Sequence, residues 1–221
     1  MSVMNDTEGF NLIKLKKGFT LAEILIVVTI VGIITFSVIN LFSRERERVQ
    51  YNEETIKVNS LVKLARNYAS TNKPVYNGID NIVPEEGYGI YFERSATPGQ
   101  SRMILFANTS DATEKSAIQY DDADIVEEEF ILAQEAIMEA ISLTETSLPQ
   151  VDVVDSALIL FEITTASVSL YDNGDPSDIE AAAPIQYDEL AVDFIRLGDD
   201  SQNSRKTFTI DEISGVPEMS L

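Results

Sequence analysis

The side chains that could do chemistry in this chain are mostly carboxylates: 37 Asp and Glu stand against 16 Lys and Arg, with no histidine and no cysteine. That balance removes the usual general base at neutral pH, the thiol nucleophile and the ordinary zinc ligands. Carboxylate pairs remain. Asp121-Asp122 and Asp199-Asp200 have the residue types for acid-base work, but both lie in polar, turn-like stretches where solvated charge explains them. The segment YDNGDPSDIE gathers Asp172, Asn173, Asp175, Asp178 and Glu180. Calcium takes six to eight oxygen ligands of such types, although the spacing departs from the EF-hand loop. Asp172, Asp175, Asp178 and Glu180 are therefore calcium candidates, set against a plain solvated turn. No catalytic residue is expected, and no cofactor other than that calcium.

One carboxylate has different surroundings. Glu23 follows Lys14, Lys16, Lys17 and Gly18, and it stands at the mouth of the run Ile24 to Phe42, which holds no charged residue and no proline. As a helix that run reaches about 28 Å at roughly 1.5 Å per residue, close to the thickness of a bilayer's hydrocarbon core. A charge at its margin needs a reason. A cleaved secretory signal fits poorly, because the run is too long and leads into Ser43-Arg44-Glu45-Arg46 rather than a small-x-small site.

The stretch Lys16-Lys17-Gly18-Phe19-Thr20-Leu21-Ala22-Glu23 resembles the class III signal of bacterial type IV pilins and type II secretion pseudopilins. The resemblance implies a prepilin peptidase that cuts on the cytoplasmic side between Gly18 and Phe19 and methylates the new Phe19 amine. It implies that Glu23 acts in assembly, pairing with the Phe19 amine of a neighbouring subunit inside a core of packed apolar helices. A paired charge loses much of its burial penalty. Gly32 matches the small residue partway along such helices, and Asn40 stands where many major pilins have a helix-bending proline.

The elements that must position these residues follow from the pattern. Val58, Leu61, Val62, Ala65, Tyr68 and Ala69 keep helical spacing, with Lys57, Lys63 and Arg66 assigned to the outside. A helix from Phe19 to about Ala69 is predicted, ending at TNKPVYNG, where Pro74 and Asn77-Gly78 stop it. Beyond, YGIYFE, MILFAN, ALILFEI, SVSLY, LAVDFIRL and KTFTIDEI read as strands. EEEFILAQEAIMEAISL fits helix or broken strands, and strands are preferred. The fold class is α+β and pilin-like, a long N-terminal helix packed on an antiparallel β-sheet. Its parts are a leader at 1–18, a transmembrane and filament-core helix at 19–42, an amphipathic continuation at 43–73 and an exported β-rich domain at 74–221.

Residues 49–221 carry 10 basic and 32 acidic side chains, a formal charge of −22. Binding to phosphates rests on Lys and Arg contacts, so no direct nucleic acid is expected as a partner. The helix end SLVKLARNYASTNKPV, the strand YGIYF and the closing KTFTIDEISGVPEM, which turns at Ser214-Gly215, are similar to H-type minor pseudopilins.

The function implied is a non-enzymatic subunit, and a minor one, of a type IV pilus or type II secretion pseudopilus. Its partners would be prepilin peptidase, other pilins or pseudopilins, the inner-membrane assembly platform and the lipid bilayer. It would cross the bacterial cytoplasmic membrane once, N-terminus inside and C-terminal domain exported, before entering a filament. The alternative is a single-pass anchored binding module that never polymerises and captures a ligand or cation. That module needs neither the Gly18-Phe19 site nor the Glu23 charge.

Overall fold

The computed structural model describes residues 19–109, 120, 124–133, 136–145, 150–163, 167–172, 186–196 and 205–220. The chain divides into two compact units, one up to Glu45 and one from Arg46 onward. Helix α1, Leu21–Ser70, contributes to both. It begins at Leu21 rather than Phe19 because Thr20 caps it: the first intrahelical bond runs from Ile24 N–H to the Thr20 carbonyl at 3.2 Å. It ends on Asn72, whose φ of 50° is left-handed. Asn72 N–H bonds the Ala69 carbonyl at 3.2 Å and Lys73 N–H the Tyr68 carbonyl at 3.0 Å. This is a Schellman stop with asparagine in glycine's usual place, and Pro74 follows it.

In the unit from Arg46, thirteen strands follow the helix among the described residues. A short ribbon pairs β1 (Val75–Tyr76) with β2 (Asn81–Ile82). The six-stranded sheet contains β3 (Gly87–Glu93), β4 (Arg102–Asn108), β5 (Ile125–Ile131), β8 (Ser156–Phe161), β9 (Val168–Asp172) and β10 (Gln186–Tyr187). Its order is β10-β9-β8-β3-β4-β5. The five-stranded sheet contains β6 (Ala136–Glu145), β7 (Gln150–Val154), β11 (Glu189–Arg196), β12 (Arg205–Asp211) and β13 (Glu218–Ser220), in the order β13-β12-β11-β6-β7. Among the described residues every strand pairing is antiparallel. The α+β layout stands, with the strands divided between two sheets. EEEFILAQEAIMEAISL supplies β5 and β6.

One core joins helix and sheets. Val58, Leu61, Val62, Ala65 and Ala69 from α1 meet Ile90, Phe92, Met103 and Ile159 of the six-stranded sheet, and Met138, Val192, Phe194 and Phe208 of the other. The Phe92 and Phe208 rings lie 6.1 Å apart across the two sheets. The six-stranded sheet also buries its other face, where Tyr91, Ile104, Phe106 and Leu158 cluster with Tyr120 and Tyr171. Gly89 pairs with Phe106, whose ring occupies the space that a Cβ at Gly89 would need. In the five-stranded sheet Glu139 is an extra residue opposite Asp193-Phe194, a bulge in β6. Arg94 reaches from β3's end to that bulge, donating to the Glu139 carbonyl at 2.9 Å and to Asp155 at 2.6 Å.

Two cations assigned to the helix's outer side are instead half-buried contacts. Lys57 pairs with Glu128 at 3.2 Å and covers the Phe130 ring at 4.2 Å. Arg66 donates to the Gly215 carbonyl at 3.1 Å. Long basic side chains bury their stems while the charged head finds a partner, so helical position alone misplaced them. Lys63 is exposed.

Candidate assembly site

The first helical turn forms a reciprocal cap. Thr20 N–H donates to Glu23 Oε2 at 2.8 Å, the Thr20 hydroxyl donates to the same oxygen at 3.0 Å, and Glu23 N–H donates to Thr20 Oγ1 at 3.2 Å. The Thr-x-x-Glu spacing is a capping box, in which side chains satisfy N–H groups that the helix leaves open. Thr20 is therefore a functional candidate that the sequence reading passed over, although that spacing carried the signal. The carboxylate has a partner within its own chain before any neighbour arrives. Phe19, just ahead of the cap, is exposed; Gly18 lies outside the described residues.

From Ile24 to Phe42 every large apolar side chain is exposed. The polar residues of the same stretch, and Ser43 just after it, turn back onto the helix. Thr29 donates to the Leu25 carbonyl at 2.8 Å, Thr35 to Val31 at 2.8 Å, Ser37 to Ile33 at 2.9 Å, Asn40 to Phe36 at 3.1 Å and Ser43 to Ile39 at 3.1 Å. Such back-bonding spends the donors locally, as an apolar solvent requires. Around Gly32 an added Cβ would meet nothing within 4 Å among the described residues. A small residue on an apolar helix gives another helix close approach. The helix is long and apolar enough to cross a membrane.

Of the four calcium candidates, one lies among the described residues. Asp172 closes β9, while Asp175, Asp178 and Glu180 lie outside the described residues, as do Asn173 and the pairs Asp121-Asp122 and Asp199-Asp200. Among the described residues no group of three or more His, Cys, Asp or Glu is arranged to hold a metal. The carboxylates of Asp152 and Asp172 act on Tyr187. Burial first, then the charges of Asp152 and Asp172, push its hydroxyl pKa above the usual tyrosine value.

Residues 13–39 match the prokaryotic N-terminal methylation motif. That span covers the basic residues, Gly18, Phe19, the Thr20–Glu23 cap, Gly32 and most of the apolar run. The chain thus carries the class III signal of a pilin-type precursor, on a helix suited to a single membrane crossing. No curated protein and no solved structure matches the chain.

Proposed function

We propose that this protein is a structural subunit of a type IV pilus or a type II secretion pseudopilus. Prepilin peptidase cleaves it between Gly18 and Phe19 and methylates the Phe19 amine. A membrane assembly platform then draws the processed chain into a helical filament beside other pilins or pseudopilins. The observation that carries this reading is the coincidence of the methylation motif with a helix segment whose whole apolar circumference is exposed and whose polar side chains are bonded to its own backbone. Lipid covers that circumference first, and neighbouring helices cover it in the filament.

Within the filament, Glu23 neutralises the amine of an adjacent Phe19 while its capping box holds it at the helix mouth. The similarity of the helix end and closing strand to H-type pseudopilins supports a minor subunit, present in few copies. The protein performs no catalysis. Calcium at the Asp172 loop would show as a rise in the melting temperature of the exported domain on calcium addition.

Intact mass of the membrane-extracted protein tests the processing step. The expected mass is that of a chain starting at N-methyl-Phe19. Gly18→Leu should leave insertion unchanged and hold the full-length precursor. A mature N-terminus elsewhere, or persistent precursor beside active peptidase, would remove the reading.

A further inference from the structure

Basic residues flank the apolar run at both ends. The ten residues before Ile24 hold Lys14, Lys16 and Lys17, and the six after Phe42 hold Arg44, Arg46 and Arg48. All three arginines are exposed on α1, and among the described residues none of them makes an ion pair. Glu45 and Glu47 alternate with them, but adjacent side chains on a helix point apart. Cations farther along are engaged: Lys57 pairs with Glu128 at 3.2 Å, Arg94 with Asp155 at 2.6 Å, and Lys73 and Arg205 with Glu127 and Glu139. Arg66 holds the Gly215 carbonyl, and Lys206 Nζ donates to Thr55 Oγ1 at 3.1 Å.

Lysine and arginine close to a span hold their flank on the cytoplasmic side. They count within about 15–20 residues of its ends, while acidic residues weigh little and long domains cross largely regardless of charge. By that count three lysines stand before the run, and three arginines with Lys57 stand after it. Glu45, Glu47 and the acidic excess beyond them do not restore the balance. The distribution therefore gives a cytoplasmic N-terminus no margin.

We propose that Arg44, Arg46 and Arg48 oppose the orientation of the precursor, which Lys14, Lys16 and Lys17 uphold until the C-terminal unit has folded outside. The lysines leave the ribosome first and hold the N-terminal flank before the arginines emerge. Folding then makes the choice permanent, because Val58, Leu61 and Val62 of α1 become buried among the sheets. A folded unit whose residues 49–221 carry a formal charge of −22 does not recross a bilayer. Cleavage after Gly18 removes all three lysines and leaves the Phe19 amine alone against the arginines. The leader thus has a topological duty that must be finished before the peptidase acts. This duty presupposes the pilin reading, which keeps the N-terminus in the cytoplasm.

The chain has no cysteine, so one engineered thiol reports its side of the membrane without background. Ile213, at 99% exposure, suits the label. Full-length Ile213→Cys, expressed in cells without prepilin peptidase, should react with a membrane-impermeant maleimide added outside spheroplasts. Lys14→Gln, Lys16→Gln and Lys17→Gln together should raise at least fivefold the fraction of carbonate-resistant, membrane-embedded chain that reacts only after lysis. Adding Arg44→Gln, Arg46→Gln and Arg48→Gln to that variant should bring the fraction back to within twofold of its starting value. An unchanged fraction in the lysine variant would overturn the proposal and leave the pilin reading standing. Inversion that the arginine changes do not reverse would overturn it too, as would loss of the lysine variant from the membrane instead of inversion. A starting chain that reacts only after lysis would remove the orientation that the pilin reading needs, and the proposal with it.

Discussion

Between Ile24 and Phe42 helix α1 exposes its full apolar circumference, whereas between Tyr51 and Ala69 it buries one stripe and leaves polar residues on the other side. The earlier stretch bonds its hydroxyls and its amide to its own carbonyls. The later stretch bonds Thr55 and Ser60 back to its own Asn52 and Ile56 carbonyls as well, but it also makes polar bonds to the sheets: the Tyr51 hydroxyl donates to the Phe194 carbonyl at 2.8 Å, and Lys206 Nζ donates to Asn52 Oδ1 at 2.7 Å. One helix thus meets two solvents. Where the covering surface is encoded in the same chain, the helix becomes amphipathic; where no described residue covers it, apolarity extends all round.

The comparison breaks most sharply if the same kind of change is made on both sides of it. Val62→Asp places an unpaired carboxylate at a position with no exposure, which should cost about 4 kcal/mol or more and leave the globular unit unfolded. Ile33→Ala, in the exposed stretch, should leave that unit's denaturation midpoint unchanged. Pulse proteolysis of the detergent-solubilised full chain measures both.

Glu23 separates local capping from pairing between subunits. Glu23→Ala removes both the cap and the charge, so recovery in sheared filaments should fall at least tenfold while insertion and cleavage persist. Glu23→Gln can still complete a capping box but cannot neutralise an amine, and it should fall nearly as far. Wild-type incorporation of Glu23→Gln would leave the carboxylate only its capping role.

A smaller effect is expected at the helix's far contact. Gly215→Ala brings a methyl onto Val168 and forces a left-handed φ, at a cost of about 1–2 kcal/mol. Denaturant titration of the full chain should show it as a shift of midpoint without a change in slope.

The mildest test is alkaline. Burial, followed by the charge of Glu127, raises the Tyr88 pKa, and burial with Asp152 and Asp172 raises that of Tyr187. The unfolded chain releases these protons first, at its ordinary tyrosine pKa of about 10, so stability falls as pH rises through and beyond that value. Midpoints should be flat between pH 7 and 9 and decline above 10, with a shallower decline in Tyr88→Phe.

Legibility followed the range of the interactions. YGIYFE, MILFAN and ALILFEI stood out because β3, β4 and β8 are buried on both faces and read as continuous apolar runs. LAVDFIRL and KTFTIDEI were legible through alternation, since β11 and β12 bury one face. β1, β2, β7, β10 and β13 escaped notice, being only two to five residues long and carrying too little pattern to separate strand from turn. The division into two sheets depends on which strands pair, and no local spacing encodes that. Arg66 was misplaced for the same reason: its partner, Gly215, lies 149 residues away. At the candidate assembly site, Gly18, Phe19 and Glu23 lie within six residues of one another, inside the span that matches the methylation motif. Thr20's role lay in the same residues but needed its hydrogen-bond geometry to become visible.

The Phe106 ring laid over Gly89 makes two positions on neighbouring strands a single unit of inheritance. A larger residue at 89 displaces the ring, and a smaller residue at 106 uncovers bare backbone, so either change alone is costly. Drift at this spot should therefore proceed in pairs, with bulk passing from one strand to the other while their sum stays constant.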